Sequence, residues 1–323
     1  MIDRTVLLRA AVLAPLCFAS ASLAPARDPQ LWVSNEVGNT ISVIAPRTNT
    51  VTATIPVGKR PRGMALSPDG RTVYVALGQD DAVGVIDVTR ATMTRTIPAG
   101  RDPELVALSP DGATFFVSNE EIAHASGVDV KTGRIKFSTA VGVEPEGIAV
   151  SPDGSKVYVT AETSNTVSAL DAATGRLRKT IPVGENPRTV AVAPDGRRAY
   201  VTAEAGGNVT ILEVATDSVL GQFSIRDGKT KPVRIVFTPD GRLAYVTEGA
   251  AGTVSIVDLM SQHVIDTISV GKRPWGIALS PDAHRLYTAD GRSNQVSVID
   301  TDSRKVVGTI PVGERPNDLL YIP

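Results

Sequence analysis

Charged side chains in this chain recur beside proline in a fixed frame. Arg60-Pro61-Arg62-Gly63, Asp102-Pro103-Glu104-Leu105, Glu144-Pro145-Glu146-Gly147 and Arg273-Pro274-Trp275-Gly276 share it; Arg188 and Arg315 fall beside the corresponding prolines of other copies, and Arg234 two residues after its own. A second acidic series follows short apolar runs: Glu36, Glu120, Glu162, Glu204, Glu248 and Asp290, with Gly78 breaking it. Guanidinium forks hold carboxylate or phosphate in a fixed plane, and an indole supplies an apolar anchor. If both series reach one surface, interleaved rings of charge surround a mouth suited to a polar ligand or a protein partner. The alternative is that these charges pair between neighbouring units at a solvated rim, as most surface charge is simply solvated. Arg62, Glu104, Glu146, Arg188 and Trp275 are the stronger candidates, because the repeat does not dictate them.

Catalytic constellations are poor. Only His124, His263 and His284 exist, in non-equivalent places, so symmetry cannot bring them together as metal ligands. No Ser-His-Asp arrangement and no Cys-x-x-Cys-His haem motif is legible. Glu120-Glu121 or Glu144 with Glu146 could hold calcium, but the spacing is not that of a calcium loop and arginines flank them. No catalytic residue, metal or cofactor is expected. Lys+Arg 33 against Asp+Glu 34 leaves a net charge of -1, so no global field draws the chain to nucleic acid or an anionic membrane.

The elements that position these residues follow from a repeat. Pro-Asp-Gly occurs at 68–70, 110–112, 152–154, 194–196 and 239–241, with a sixth copy as Pro281-Asp282-Ala283. Its aspartates are spaced 42, 42, 42, 45 and 42 residues apart. Within one period, Gly63 to Ser67 reads as a short strand, Ser67-Pro68-Asp69-Gly70 as a type I turn and Thr72 to Ala76 as a second strand. Ala82 to Asp87 and Thr92 to Ile97 supply the third and fourth, and Pro98 blunts the outer edge. Seven copies of the second strand occur, from Leu31-Trp32-Val33 to Leu286-Tyr287-Thr288. A four-stranded unit of this length cannot bury both faces alone, and stacking in a ring buries them. The fold class is therefore all-β: a seven-bladed β-propeller of four-stranded antiparallel blades. Asp318 to Ile322 should complete the blade begun at Gln30, so that the two ends of the chain close the ring. The longer interval is placed as two extra residues around Asp217-Ser218 and one more in 227–231. That insertion is either functional or merely tolerated on a rigid scaffold.

Residues 1–26 differ from the rest. Arg4 and Arg9 precede the apolar run Ala10 to Phe18, and Ala24-Pro25-Ala26 follows. That order describes a secretory signal peptide cleaved near Ala24 to Ala26, leaving 27–323 as one propeller. The run is too short to span a bilayer. The single cysteine, Cys17, lies inside it, so the mature chain would hold none and thiol catalysis is excluded.

The repeat resembles the YVTN family of β-propellers, through Tyr158-Val159-Thr160, Tyr200-Val201-Thr202 and the Ala-x-Ser-Pro-Asp-Gly frame. More narrowly it is similar to the bacterial propeller group associated with pyrroloquinoline quinone-dependent alcohol catabolism. The carriers are Trp32-Val33-Ser34-Asn35-Glu36 and the four proline motifs quoted first. That resemblance implies a periplasmic accessory role near a quinoprotein dehydrogenase system, without implying that this chain binds the quinone. The expected function is a non-enzymatic, periplasmic or secreted binding or scaffold protein, taking a protein partner or small polar ligand on the funnel face. Two alternatives remain. Some propellers of this size open lactones with acidic and basic funnel residues, and the arginines could follow single-stranded DNA. The acidic ring and the net charge disfavour nucleic acid.

Overall fold

The computed structural model describes residues 28–323, so the leader read from residues 1–26 lies outside the described residues. Strands are six or seven residues long and gather into seven separate four-stranded antiparallel sheets. Each sheet is one blade, numbered here in chain order. The second blade runs from its innermost strand Pro61–Leu66 through Thr72–Leu77 and Ala82–Asp87 to the outer strand Thr92–Pro98. The third to seventh blades repeat this order over 103–140, 145–182, 187–224, 232–269 and 274–311. The only helical element among the described residues is the single 3-10 turn Gly78–Asp80.

The first blade is assembled from both ends of the described chain. Gln30–Asn35, Thr40–Ala45 and Thr50–Pro56 supply its outer three strands, and Pro316–Ile322 its innermost. Leu31 pairs with Tyr321 and Val33 with Leu319. The expected closure of the ring is therefore observed.

Apolar residues on successive positions of a strand face opposite neighbours, because side chains alternate along a pleated strand. Trp32 packs with Val73, Val75 and Leu77 of the second blade, whereas Leu31 and Val33 pack with Tyr287 and Val298 of the seventh. Each blade is thus apolar on both faces and has no stable solution outside a closed ring. Aromatic pairs reinforce the junctions: Tyr74 with Phe115 at 5.8 Å between ring centroids, and Tyr200 with Phe237 at 5.2 Å. Burying one such aliphatic side chain stabilises by about 1.5–3 kcal/mol, so the junctions dominate the fold's stability.

The Pro-Asp-Gly aspartates are turn residues. Asp69 accepts the Ser67 hydroxyl at 2.5 Å and the Arg71 N–H at 3.1 Å, and Gly70 takes the left-handed conformation (φ 67°). The Ser67 hydrogen bond holds the Asp69 carboxyl below the ordinary value. Where the glycine is lost, Ala283 adopts φ 60° instead.

The insertion lies elsewhere than the sequence reading put it. The connection between third and fourth strands of the fifth blade, 214–217, has the same length as 88–91 and 259–262. All three extra residues fall in the inter-blade loop 225–231, which replaces a four-residue loop such as 57–60. Asp217 is an ordinary turn residue whose carboxylate accepts Lys156 Nζ at 2.8 Å and the Tyr158 hydroxyl at 2.6 Å.

Candidate functional site

Two loop sets build one face of the ring, and a repeated hydrogen bond ties them together. The N–H of Glu36, Gly78, Glu120, Glu162, Glu204, Gly249 and Gly291 donates to the carbonyl of Arg315, Arg60, Asp102, Glu144, Asn186, Lys231 and Arg273 respectively, at 2.8–3.0 Å. All seven carbonyls belong to the residue before proline, and all seven of those residues have φ between 48° and 59°. A non-glycine residue rarely holds that conformation unless its surroundings fix it. Here the paired loop fixes it, so the side chains that flank each proline are set rigidly at the mouth.

The residue after proline is positioned from behind. Hydroxyls of the second strand donate to its carbonyl on the next blade: Ser118 to Glu146 at 2.6 Å, Thr160 to Arg188 at 3.2 Å, Thr202 to Val233 at 2.6 Å and Thr247 to Trp275 at 3.2 Å. The threonine of the Tyr-Val-Thr runs is therefore an inter-blade tie.

Twelve of the fifteen residues expected at the mouth form one chain of contacts. Arg315 lies 3.5 Å from Glu36, and Glu36 lies 3.5 Å from Arg60 and 3.2 Å from Arg62. Arg60 reaches Glu104 at 2.8 Å and Glu120 at 3.6 Å, and also pairs with Asp102. Arg62 pairs with Glu104 and, at 3.3 Å, with Glu146 two blades on. Arg188 pairs with Glu146, and holds Glu162 and Glu204 each at 2.5 Å. Glu204 takes Arg273 at 2.8 Å, and the Arg273 guanidinium covers the Trp275 ring at 4.3 Å. Arg188 approaches the same ring at 5.5 Å. Arg234 stands apart, one residue further down its strand than the others, and pairs with Asp318 at 3.6 Å.

Glu248 and Asp290 are corrections to the expected ring. They sit one residue earlier in the repeat than Glu36, Glu120, Glu162 and Glu204, and a one-residue shift on a strand exchanges faces. Both are fully buried. Glu248 accepts hydroxyls of Ser255 and Thr253 within its own blade. Asp290 accepts Ser297 at 2.6 Å, Thr288 at 2.8 Å and the Gly271 N–H at 3.1 Å. Glycine occupies the mouth position in these blades: a Cβ on Gly249 would lie 2.7 Å from the Arg273 guanidinium, and one on Gly291 2.7 Å from the Trp275 ring.

Sequence reading missed Asp102 and Asp318. Asp102 was legible, since it occupies the pre-proline place of Arg60; Asp318 was read only as strand. The oxygens of Asp102, Glu104 and Glu120 lie within 4.8 Å of one another. The Arg60 guanidinium contacts all three, and so supplies the positive charge at their centre.

Burial perturbs this network. Glu104, 1% exposed, is pushed well above the carboxylate range by desolvation, with Arg62 opposing. Desolvation also raises Glu162, helped by its hydrogen bond with Glu146, to about 7. Desolvation pushes Glu146 up too, but the Arg188 and Arg62 guanidiniums override it and hold its carboxyl below the ordinary value. Glu146 and Glu162 thus form a pair in which the proton resides on Glu162. The three histidines take no part: His263 is exposed on an outer strand, His284 pairs with Asp302 at 3.0 Å, and His124 starts a third strand.

Charge is unevenly spread around the mouth. The loops 57–62, 78–81, 99–104, 120–123, 141–146, 162–165 and 183–188 carry ten carboxylates against Lys59, Arg60, Arg62, Arg101 and Arg188. The loops 225–234, 249–252, 270–275 and 291–294 carry seven basic residues against Asp227.

A closed seven-bladed propeller with a charged, loop-built mouth is the class that fold and site define. The chain belongs to the YNCE-like beta-propeller family, whose model matches residues 5–322. Among solved structures, it is similar to a chain of hydrazine synthase from Kuenenia stuttgartiensis, with TM-score 0.77, 26% identity and coverage of 84% of this chain and 92% of that one. A candidate 6-phosphogluconolactonase from Bacteroides uniformis gives TM-score 0.77 at 17% identity, covering 92% of this chain and 100% of that one. The dihydro-heme d1 dehydrogenase NirN gives TM-score 0.68 at 16% identity, covering 87% and 63%. No curated protein matches the chain in sequence.

Proposed function

We propose that this protein is a non-catalytic propeller that docks a protein partner on its loop face, after export by its N-terminal leader. The observation that carries this reading is the division of the mouth into an acidic arc and a basic arc. Complementary charge steers encounter and fixes orientation more than it adds affinity. The guanidiniums of the acidic arc are already held by carboxylates, so they form a preset surface and not a set of free anion hooks. The resemblance to propellers of quinoprotein-dependent alcohol oxidation supplies the physiological setting. No helix among the described residues is long and apolar enough to cross a membrane. The test is retention of a partner from the exported fraction by immobilised protein. Binding that weakens with salt and is lost from a Lys272→Glu/Arg292→Glu variant supports docking. No retained partner, together with no ligand on native mass spectrometry, overturns it.

A second reading, a propeller hydrolase acting on lactones, is favoured by one observation. Glu162 titrates near neutrality beside the ionised Glu146 and Arg188, and perturbed carboxyls in a cleft mark candidate acid–base sites. Hydrolysis of a lactone panel, abolished by Glu146→Gln, would establish it; an inactive wild type removes it.

A further inference from the structure

A cavity of about 660 Å³ opens on the loop face where the sixth and seventh blades meet. Lys231, Lys272, Arg273 and Arg292 line it, together with the backbone of 249–252 and 269–271, and no carboxylate does. Two departures from the repeat produce this. Gly249 and Gly291 stand where four other blades place Glu36, Glu120, Glu162 and Glu204, so two acidic side chains are withdrawn. Their substitutes, Glu248 and Asp290, turn into their own sheets. The cations remain. Lys231, Lys272 and Arg292 are exposed, and none of them makes an ion pair with a carboxylate among the described residues. Arg273 differs: Glu204 and the Trp275 ring hold it, so it forms a fixed wall. The insertion loop 225–231, which joins the fifth blade to the sixth, ends on Lys231.

Three cations without counter-charge around one cavity repel one another, and a single monovalent anion would relieve only part of that repulsion. The lining is more polar than apolar and offers ammonium and guanidinium donors, so recognition here is by charge-assisted hydrogen bonds. We propose that this cavity binds a small anion carrying two or more phosphate or carboxylate groups. The site is a property of the isolated chain, so it stands or falls independently of partner docking.

Calorimetric titration of the purified protein with pyrophosphate in one arm and citrate in another tests it. Saturable binding of one equivalent is expected. Saturation by pyrophosphate alone identifies phosphate as the chemistry, and by citrate alone carboxylate. A Lys272→Ala/Arg292→Ala variant, altered only at exposed side chains, should bind about tenfold more weakly or worse. Arg101→Ala, which breaks only the exposed pair with Glu121 elsewhere on this face, should bind as wild type. The proposal is overturned if neither anion saturates, or if the double variant binds unchanged. It also fails if only single-stranded DNA binds through these same cations.

Discussion

Asp318, on the strand Pro316–Ile322, accepts the backbone N–H of Met64 at 2.9 Å, a hydrogen bond between residues 254 apart in sequence. The same carboxylate lies 3.6 Å from Arg234. One side chain therefore joins the closing strand to the second blade and to the sixth.

Removal of 314–323 should cost the molecule its cooperative fold. The deletion exposes the apolar faces of Leu31 and Val33 and leaves the inner edge of the first blade unpaired. A broad or absent thermal transition by circular dichroism is expected. A melt at the wild-type temperature would show that the ring does not depend on this strand.

Arg62→Ala should destabilise by about 1.5–3 kcal/mol, because Glu104 and Glu146 lose one of their two guanidinium partners and keep only Arg60 and Arg188. Adding Glu104→Gln should recover part of that loss, since a neutral amide does not need the missing guanidinium. Chemical denaturation of both variants gives the answer, and strictly additive losses would refute the coupling.

Thr202→Val keeps the shape of a fully buried side chain and deletes its hydroxyl bond to Val233. The orphaned carbonyl makes a loss of about 1–2 kcal/mol the expected result. An unchanged unfolding midpoint would mean the Tyr-Val-Thr threonine is not an inter-blade tie.

Glu162→Gln should alter how stability varies with pH. The Glu162 carboxyl rises from 4.5 in the unfolded chain to about 7 in the folded one, so the folded protein binds the extra proton in that interval. Stability from this group is therefore greatest at low pH and falls as pH rises through about 7. Relative to wild type, the variant should gain stability as pH rises from 4.5 to about 7. A difference between the two proteins that stays constant with pH would contradict the assignment.

Much of this architecture was legible because it depends on local rules applied seven times. Alternating apolar positions, Pro-Asp-Gly turns and the strand count do not need long-range information. The mouth was legible where side chains keep the repeat's register, as at Glu120 and Glu162. It was misread at Glu248 and Asp290, because residue type suggested membership of the acidic series while their offset placed them on the other face. The insertion was misplaced for a related reason: alignment by composition cannot decide which of two polar connections lengthens, whereas strand pairing can. Arg234 with Asp318 was hidden because their contact spans the ring, and nothing local records it.

The shared first blade also bears on timing. Three of its strands precede the other six blades in the chain and the fourth follows them, so no earlier portion can shut the circle. A nascent chain stays open, with unsheltered sheet faces, until Pro316–Ile322 has been made.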